Sequence, residues 1–310
     1  MMFSMPTKGF ATSITEHNCA LEPFVDWVEG SVLFLGEAVS RSDLVDCLIE
    51  NSIYQKQGFA HEWLDVAFTE LRRRLRLISD KPPLRIDGSR IERDQSWQAH
   101  PAYSFCLALA LQIHYRKAVQ ENLGVDYGAQ GRLFEKLTAE LLEANDWEVA
   151  SVGWSREASE SVEAKVRDLA AAIGEDQRPG AVNRWAEPKA KDAGLDLVAW
   201  QPFPDGWSGR PICLMQCASG EDWHNKLHTP DTNIWRQLVA FATEPRRGLA
   251  MPFAPEADVF RRRAAREGVM LLLDRHRLMH TKAGCAYPSA ALAKELIQWT
   301  QTRVNCFPRN

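Results

Sequence analysis

The chain has 310 residues, 45% of them hydrophobic, with 37 Lys and Arg against 41 Asp and Glu for a formal charge of −4. That length supports a full apolar core and about two domains of ~150 residues, and the composition excludes a disordered chain, a collagen-like repeat and a strongly basic coat protein. Met1 to Asn18 lacks the apolar run of a signal peptide, nothing approaches the ~20 apolar residues of a membrane span, and the seven cysteines are dispersed without a Cys-x-x-Cys pair, so a cytoplasmic protein with reduced thiols and no membrane partner is expected.

Residues 1–124 read as a mainly helical domain. Leu33, Phe34 and Ala38, then Leu44, Val45, Leu48 and Ile49, recur at helical spacing, with Ser42 or Asp43 as the N-cap. A second helix spans 59–77, with Trp63, Leu64, Ala67, Phe68 and Leu71 on one face. It ends in Arg72, Arg73, Arg74 and Arg76, cations that complement the helix dipole. Lys81-Pro82-Pro83 breaks the pattern, a third helix covers 102–121, and Asn122-Leu123-Gly124 marks a domain boundary.

Residues 125–310 change period repeatedly. The expected order is helix 132–145, strand 147–152, a charged helix 159–173 that reads as an insertion, and strands 195–200 and 212–217. Helix 232–243, a short strand near Leu249, helix 256–267, strand 269–273 and helix 288–300 follow. Strands alternating with helices predict an α/β fold, and the central hairpin makes its sheet mixed.

The chemistry centres on that hairpin. Alternation puts Asp196, Val198 and Trp200 on one face of the first strand, and Leu214, Gln216 and Ala218 together on the second. If the strands pair antiparallel about Asp205-Gly206, Asp196 and Gln216 stand opposite each other, each ten residues from Gly206. A carboxylate beside a carboxamide in an apolar sheet is costly without partners, and converging oxygens are what a hard divalent cation uses. Glu135, expected in the first turn of its helix, is a third oxygen donor; by position alone it is a solvent-facing residue stabilised by the dipole. His224 and His228 have helical metal-ligand spacing, but no glutamate follows His224 and Pro230 limits the helix, which argues against zinc. Cys213 and Cys217 read as packing residues.

Four segments follow one another in fixed order: Gly131-x-x-Phe134-Glu135, Asn145-Asp146-Trp147-Glu148-Val149, Lys191-Asp192-Ala193-Gly194-Leu195-Asp196-Leu197-Val198 and Met215-Gln216-Cys217-Ala218. Over about residues 131–273 the chain resembles the Mrr-type branch of the PD-(D/E)XK restriction-endonuclease-like superfamily. That branch shows a Gly-x-x-Phe-Glu helix, an Asp-x-Gly-Ile-Asp-Leu strand start and a Gln-x-Lys strand. The resemblance implies a restriction-endonuclease-like mixed sheet flanked by helices in residues 125–310. It also implies a Mg2+- or Mn2+-dependent DNA endonuclease, of a class that serves bacterial restriction and defence against phage. By motif position Asp196 is the principal metal ligand, Gln216 the second and Glu135 the helix acid. The family lysine, two residues after the glutamine, is Ala218 here. Either a lysine has migrated, Lys191 or by preference Lys226, or catalysis is lost and the domain binds nucleic acid or a protein partner within a larger complex.

Charge is distributed unevenly, −3 over residues 1–124, −7 over 125–240 and +6 over 241–310. Arg261, Arg262, Arg263 and Arg266, with Arg275 and Arg277 of the Asp274-Arg275-His276-Arg277 loop, are candidate DNA phosphate contacts or, alternatively, a salt-bridged helix face. Residues 1–124 are assigned to target recognition, partner binding or homodimer formation.

Overall fold

The apolar runs around residues 197–217 form the centre of a five-stranded mixed sheet in a computed structural model, which describes residues 1–6, 19–78, 81–124, 126–152, 162–185 and 194–310, with the side chains of 185 and 265–267 outside the description. The elements of residues 1–124 are α1 (Leu21–Leu35), β1 (Val39–Ser40), α2 (Arg41–Glu50), α3 (Gln57–Leu77), β2 (Leu84–Asp87), β3 (Arg90–Arg93), α4 (Pro101–His114) and α5 (Arg116–Leu123). Then come α6 (Tyr127–Glu143), β4 (Glu148–Ser151), α7 (Val162–Ala172), β5 (Asp176–Gln177), α8 (Ala181–Trp185), β6 (Leu197–Trp200) and β7 (Ile212–Cys217). A 3₁₀ segment (Glu221–Lys226), α9 (Thr232–Leu238), β8 (Val239–Ala240), β9 (Arg246–Ala250), α10 (Ala257–Glu267), β10 (Leu271–Leu273) and α11 (Ala290–Val304) complete the chain.

The main sheet has the order β10-β9-β7-β6-β4. Its β4, β6 and β7 form an antiparallel meander, whereas β9 and β10 run parallel to β7. All four residues of β6 and all six of β7 are buried, which explains their near-continuous apolar sequence. The mixed α/β architecture expected for residues 125–310 is therefore present, with α7, β5 and α8 inserted between β4 and β6. The charged helix expected from 159 begins at Val162, and 159–161 lie outside the described residues. The expected helix 232–243 stops at Leu238, because Val239 and Ala240 pair with Gln177 and Asp176.

The N-terminal part is not purely helical. Leu84–Asp87 and Arg90–Arg93 form a hairpin through Gly88 (φ +58), and β1 adds to its β3 edge. The cap of α2 is Ser40 rather than Ser42 or Asp43: its hydroxyl accepts the Asp43 N–H at 3.2 Å, and the Asp43 carboxylate accepts the Ser40 N–H at 2.7 Å. The expected third helix breaks at Tyr115 into α4 and α5. Gly124, the expected boundary, does end α5, yet one apolar cluster runs from Phe3 and Trp27 through Phe105 and Phe134 to Trp299 and Phe307, with the Phe105 and Trp299 rings 4.9 Å apart. No helix among the described residues is long and apolar enough to cross a membrane.

A buried ionic cluster fastens the two parts together. Arg74 and Arg275 are both 0% exposed. Arg74 donates to Asp26 at 2.7 Å and Glu70 at 3.0 Å, and Arg275 reaches both oxygens of Asp26 at 2.9 and 3.0 Å. Tyr103 completes it with a 2.6 Å bond to Glu29. Burial alone raises a carboxyl, but the guanidiniums of Arg275 and Arg74 outweigh it and hold Asp26 below the ordinary range.

Candidate active site

The antiparallel register of β6 and β7 pairs Leu197 with Met215 and Val198 with Leu214. One step further out, Asp196 and Gln216 face each other as expected, and both are buried. The Gln216 amide nitrogen donates to Asp196 Oδ2, and the same oxygen accepts the Cys217 N–H at 2.7 Å. Gly194 makes this approach possible. With φ +74 it adopts a conformation side chains avoid, and an added Cβ would stand 3.0 Å from Thr229 Cβ and 3.3 Å from Gln216 Oε1. The preceding residues 191–193, including Lys191, lie outside the described residues.

Glu135 is not the first-turn, solvent-facing residue its position suggested. The helix starts five residues earlier, at Tyr127 behind an Asp126 cap, so Glu135 sits in its interior and is 5% exposed. Charges acting on the Cys217 thiol locate the remaining groups. Burial pushes that thiol up strongly, the negative charges of Asp196 and Glu135 push it further, and Lys226 opposes them. Asp196, Glu135 and Lys226 thus all lie within electrostatic reach of the Cys217 thiol. Cys217 and Cys213 are packing residues, the latter pushed up to about 12 by burial.

Ala218 cannot be the cation's position. Its methyl is 0% exposed in an apolar cluster with Trp223, Leu227 and Leu249, where an ammonium would be desolvated. The backbone of Lys226 is held by Thr229, whose Oγ1 lies 2.8 Å from the Lys226 carbonyl and 3.1 Å from Gln216 Oε1.

That threonine bears on the orientation of the Gln216 amide. Its hydroxyl has one hydrogen for two acceptors. Turning the Gln216 carboxamide by half a turn lets Thr229 donate to Lys226 while accepting the amide N–H. The same turn sets Oε1 against the Asp196 carboxylate, which only a cation or a proton between them can stabilise. No three His, Cys, Asp or Glu side chains gather as a metal group among the described residues.

The basic residues sort differently. Arg275 belongs to the buried ionic cluster and its side chain cannot reach nucleic acid. Arg277 is exposed, lies 4.6 Å over the Phe260 ring and donates to the Leu272 carbonyl. Arg261 and Arg262 are exposed on α10, with Arg261 3.8 Å from Asp258, and the Arg266 side chain lies outside the described residues. Arg263 was grouped with them in sequence; burial lowers His224 first and the charge of Arg263 adds to it, so Arg263 is within electrostatic reach of the 3₁₀ segment. That segment is 3₁₀, so His224 and His228 do not share an α-helical face. No family model, curated protein or solved structure matches the chain.

Proposed function

We propose that the chain is a metal-dependent nuclease that hydrolyses phosphodiester bonds of DNA, with its centre at the ends of β6 and β7. One observation carries the reading: Asp196 and Gln216 face each other at the ends of β6 and β7, with Glu135 and Lys226 within electrostatic reach of the adjoining Cys217 thiol. The order α6-β4-β6-β7-α9-β9, an antiparallel meander followed by a parallel strand, supports a restriction-endonuclease-like arrangement.

In this reading Asp196, Glu135 and the amide oxygen of Gln216 hold Mg2+ or Mn2+. A divalent ion held there would polarise the scissile phosphate, lower the pKa of a water and take up the charge on the sugar oxygen that departs as the P–O bond breaks, until water protonates it. Glu135 orients the attacking water and accepts its proton. The Lys226 ammonium offsets the negative charge that builds on the phosphoryl oxygens, the task of the family lysine. Thr229 fixes both the Gln216 amide and the backbone of Lys226.

The test is incubation of the protein with supercoiled plasmid, linear duplex and single-stranded DNA, with Mg2+ or Mn2+ and with EDTA. Cutting that EDTA abolishes, that Asp196→Ala removes and that Lys226→Ala reduces is the expected result. Absence of cutting with either metal overturns the reading. Full activity of Lys226→Ala removes that lysine from the mechanism.

A further inference from the structure

Two glutamines line a cavity beyond the end of β7, walled by the end of α4, by α5, by the first turns of α6 and by residues 219–221. Their bonds fix the orientation of both amides. Gln130 Nε2 donates to the Ser219 carbonyl at 3.1 Å and lies 3.2 Å from the Ser219 hydroxyl. A carbonyl only accepts, so the Gln130 amide nitrogen faces it, and Gln130 Oε1 is turned to Gln112, whose amide nitrogen donates to it. Gln112 is left with its second N–H and its Oε1, neither of them bonded among the described residues. A donor and an acceptor thus stand side by side at the cavity wall in one fixed orientation.

The rest of the lining suits a flat, uncharged ligand. Tyr127 is 57% exposed, with its hydroxyl 3.5 Å from the Gln120 amide nitrogen, and Ile113 is half-buried. The charged residues of the wall, among those described, are Arg116, Arg303, Asp126 and Glu221, two of each sign, and Arg116 is paired with Glu221 at 2.7 Å. The cavity measures about 80 Å3, room for about five to eight waters or ~150–240 Å3 of liquid, which admits one planar ring system and excludes a duplex.

Two short stretches of chain join this cavity to the candidate centre. Ser219 is three residues from Gln216, at most ~11 Å along an extended chain, and Gln130 is five residues from Glu135, ~7.5 Å along α6. At ~3.4 Å of rise per nucleotide, that separation is about two or three nucleotides. We propose that the cavity takes one unpaired base of the nucleic acid, about two or three nucleotides from the cleavage position, stacked on Tyr127 and read along its edge by the Gln112 amide. The inference rests on the nuclease reading. A base offers a flat face to the tyrosine ring and a hydrogen-bonding edge to the amide. A phosphate finds no net positive charge in the wall and stays outside.

Fluorescence anisotropy in EDTA, where nothing is cut, tests it on the full chain with a labelled ~20-nucleotide single strand and with a strand of equal length and phosphate count that lacks its bases. Tyr127→Ala is expected to lose about 5- to 150-fold on the ordinary strand, the worth of one base on one aromatic ring, and less than about twofold on the stripped strand. Tyr127→Phe retains the ordinary affinity, whereas Gln112→Met, which keeps the bulk and loses the amide, falls with Tyr127→Ala. Tyr127 is exposed, and an unchanged thermal midpoint verifies the fold of its variants. Unchanged binding of the ordinary strand by Tyr127→Ala, equal losses on both strands, or no binding by the unaltered protein each overturn the proposal. Asp196→Ala separates it from the nuclease reading: it abolishes cleavage and keeps the affinity that depends on Tyr127. If Asp196→Ala leaves cleavage intact while Tyr127→Ala releases the ordinary strand, the nuclease centre is wrong and the cavity stands. If Asp196→Ala abolishes cleavage while Tyr127→Ala binds both strands as the unaltered protein does, the cavity is wrong and the centre stands.

Discussion

Asp196→Asn separates the proposed cation-binding role of the candidate centre from its folding role. The Gln216 and Cys217 donors both act on one oxygen of Asp196, so an asparagine with its carbonyl in that place keeps both bonds and loses only the charge. Asp196 is 8% exposed, and neutralising a buried carboxylate removes a desolvation cost. In EDTA the variant is therefore expected within about 1 kcal/mol of the parent, or slightly above it. With the ion at ten times its dissociation constant, the parent gains about 1.4 kcal/mol, or roughly 2 °C in thermal midpoint for a chain of this size. The variant gains none, and its cleavage falls by at least about 100-fold. Thermal melts with and without Mg2+ measure both quantities. An equal metal-induced shift in parent and variant refutes the placement of the cation, and a collapse of the variant in EDTA refutes the hydrogen-bond account.

Thr229→Val removes the hydroxyl that orients the Gln216 amide and should weaken Mn2+ binding about 10- to 100-fold by titration calorimetry, whereas Thr229→Ser retains it. Arg275→Met leaves Asp26 and Glu29 to share Arg74 as their remaining buried counter-charge and is expected to cost about 3–5 kcal/mol in urea unfolding. Glu22 is raised to about 7, first by burial and against the bond it accepts from the Glu256 N–H at 2.6 Å. The folded chain thus binds more protons than the unfolded one between its ordinary value of 4.5 and about 7, so stability falls as pH rises through that window, by at most roughly 3 kcal/mol. Denaturant midpoints across that range should flatten in Glu22→Gln.

The hairpin was readable because its turn composition and alternation fix a register, and a register alone brings Asp196 to Gln216. Glu135 was placed on the right helix but in the wrong turn. Gly128 and Gly131 weaken the helical signal of the first turns, and the Asp126 cap lies beyond them. Gly88 after Asp87 is a hairpin signal that the charge density of residues 85–94 concealed. Arg275 was misread for a different reason. Its partner Asp26 is 249 residues away, and nothing local distinguishes an arginine that will be buried from its exposed neighbour Arg277. Arg72, Arg74 and Arg76 carry the same lesson within one helix, where a shift of two residues decides between core and surface.

The same ionic cluster bears on whether either part of the chain can exist alone. Cut after Gly124, the first fragment would retain Asp26, Glu29 and Glu70 against Arg74 and the half-exposed Arg73, and the second would carry Arg275 with none of these acids. Each piece would expose an unbalanced charge within a torn apolar face. The two pieces should therefore fail separately and recover when mixed, as a split protein reassembling through its own interior. A nuclease built this way would be silent until both pieces meet.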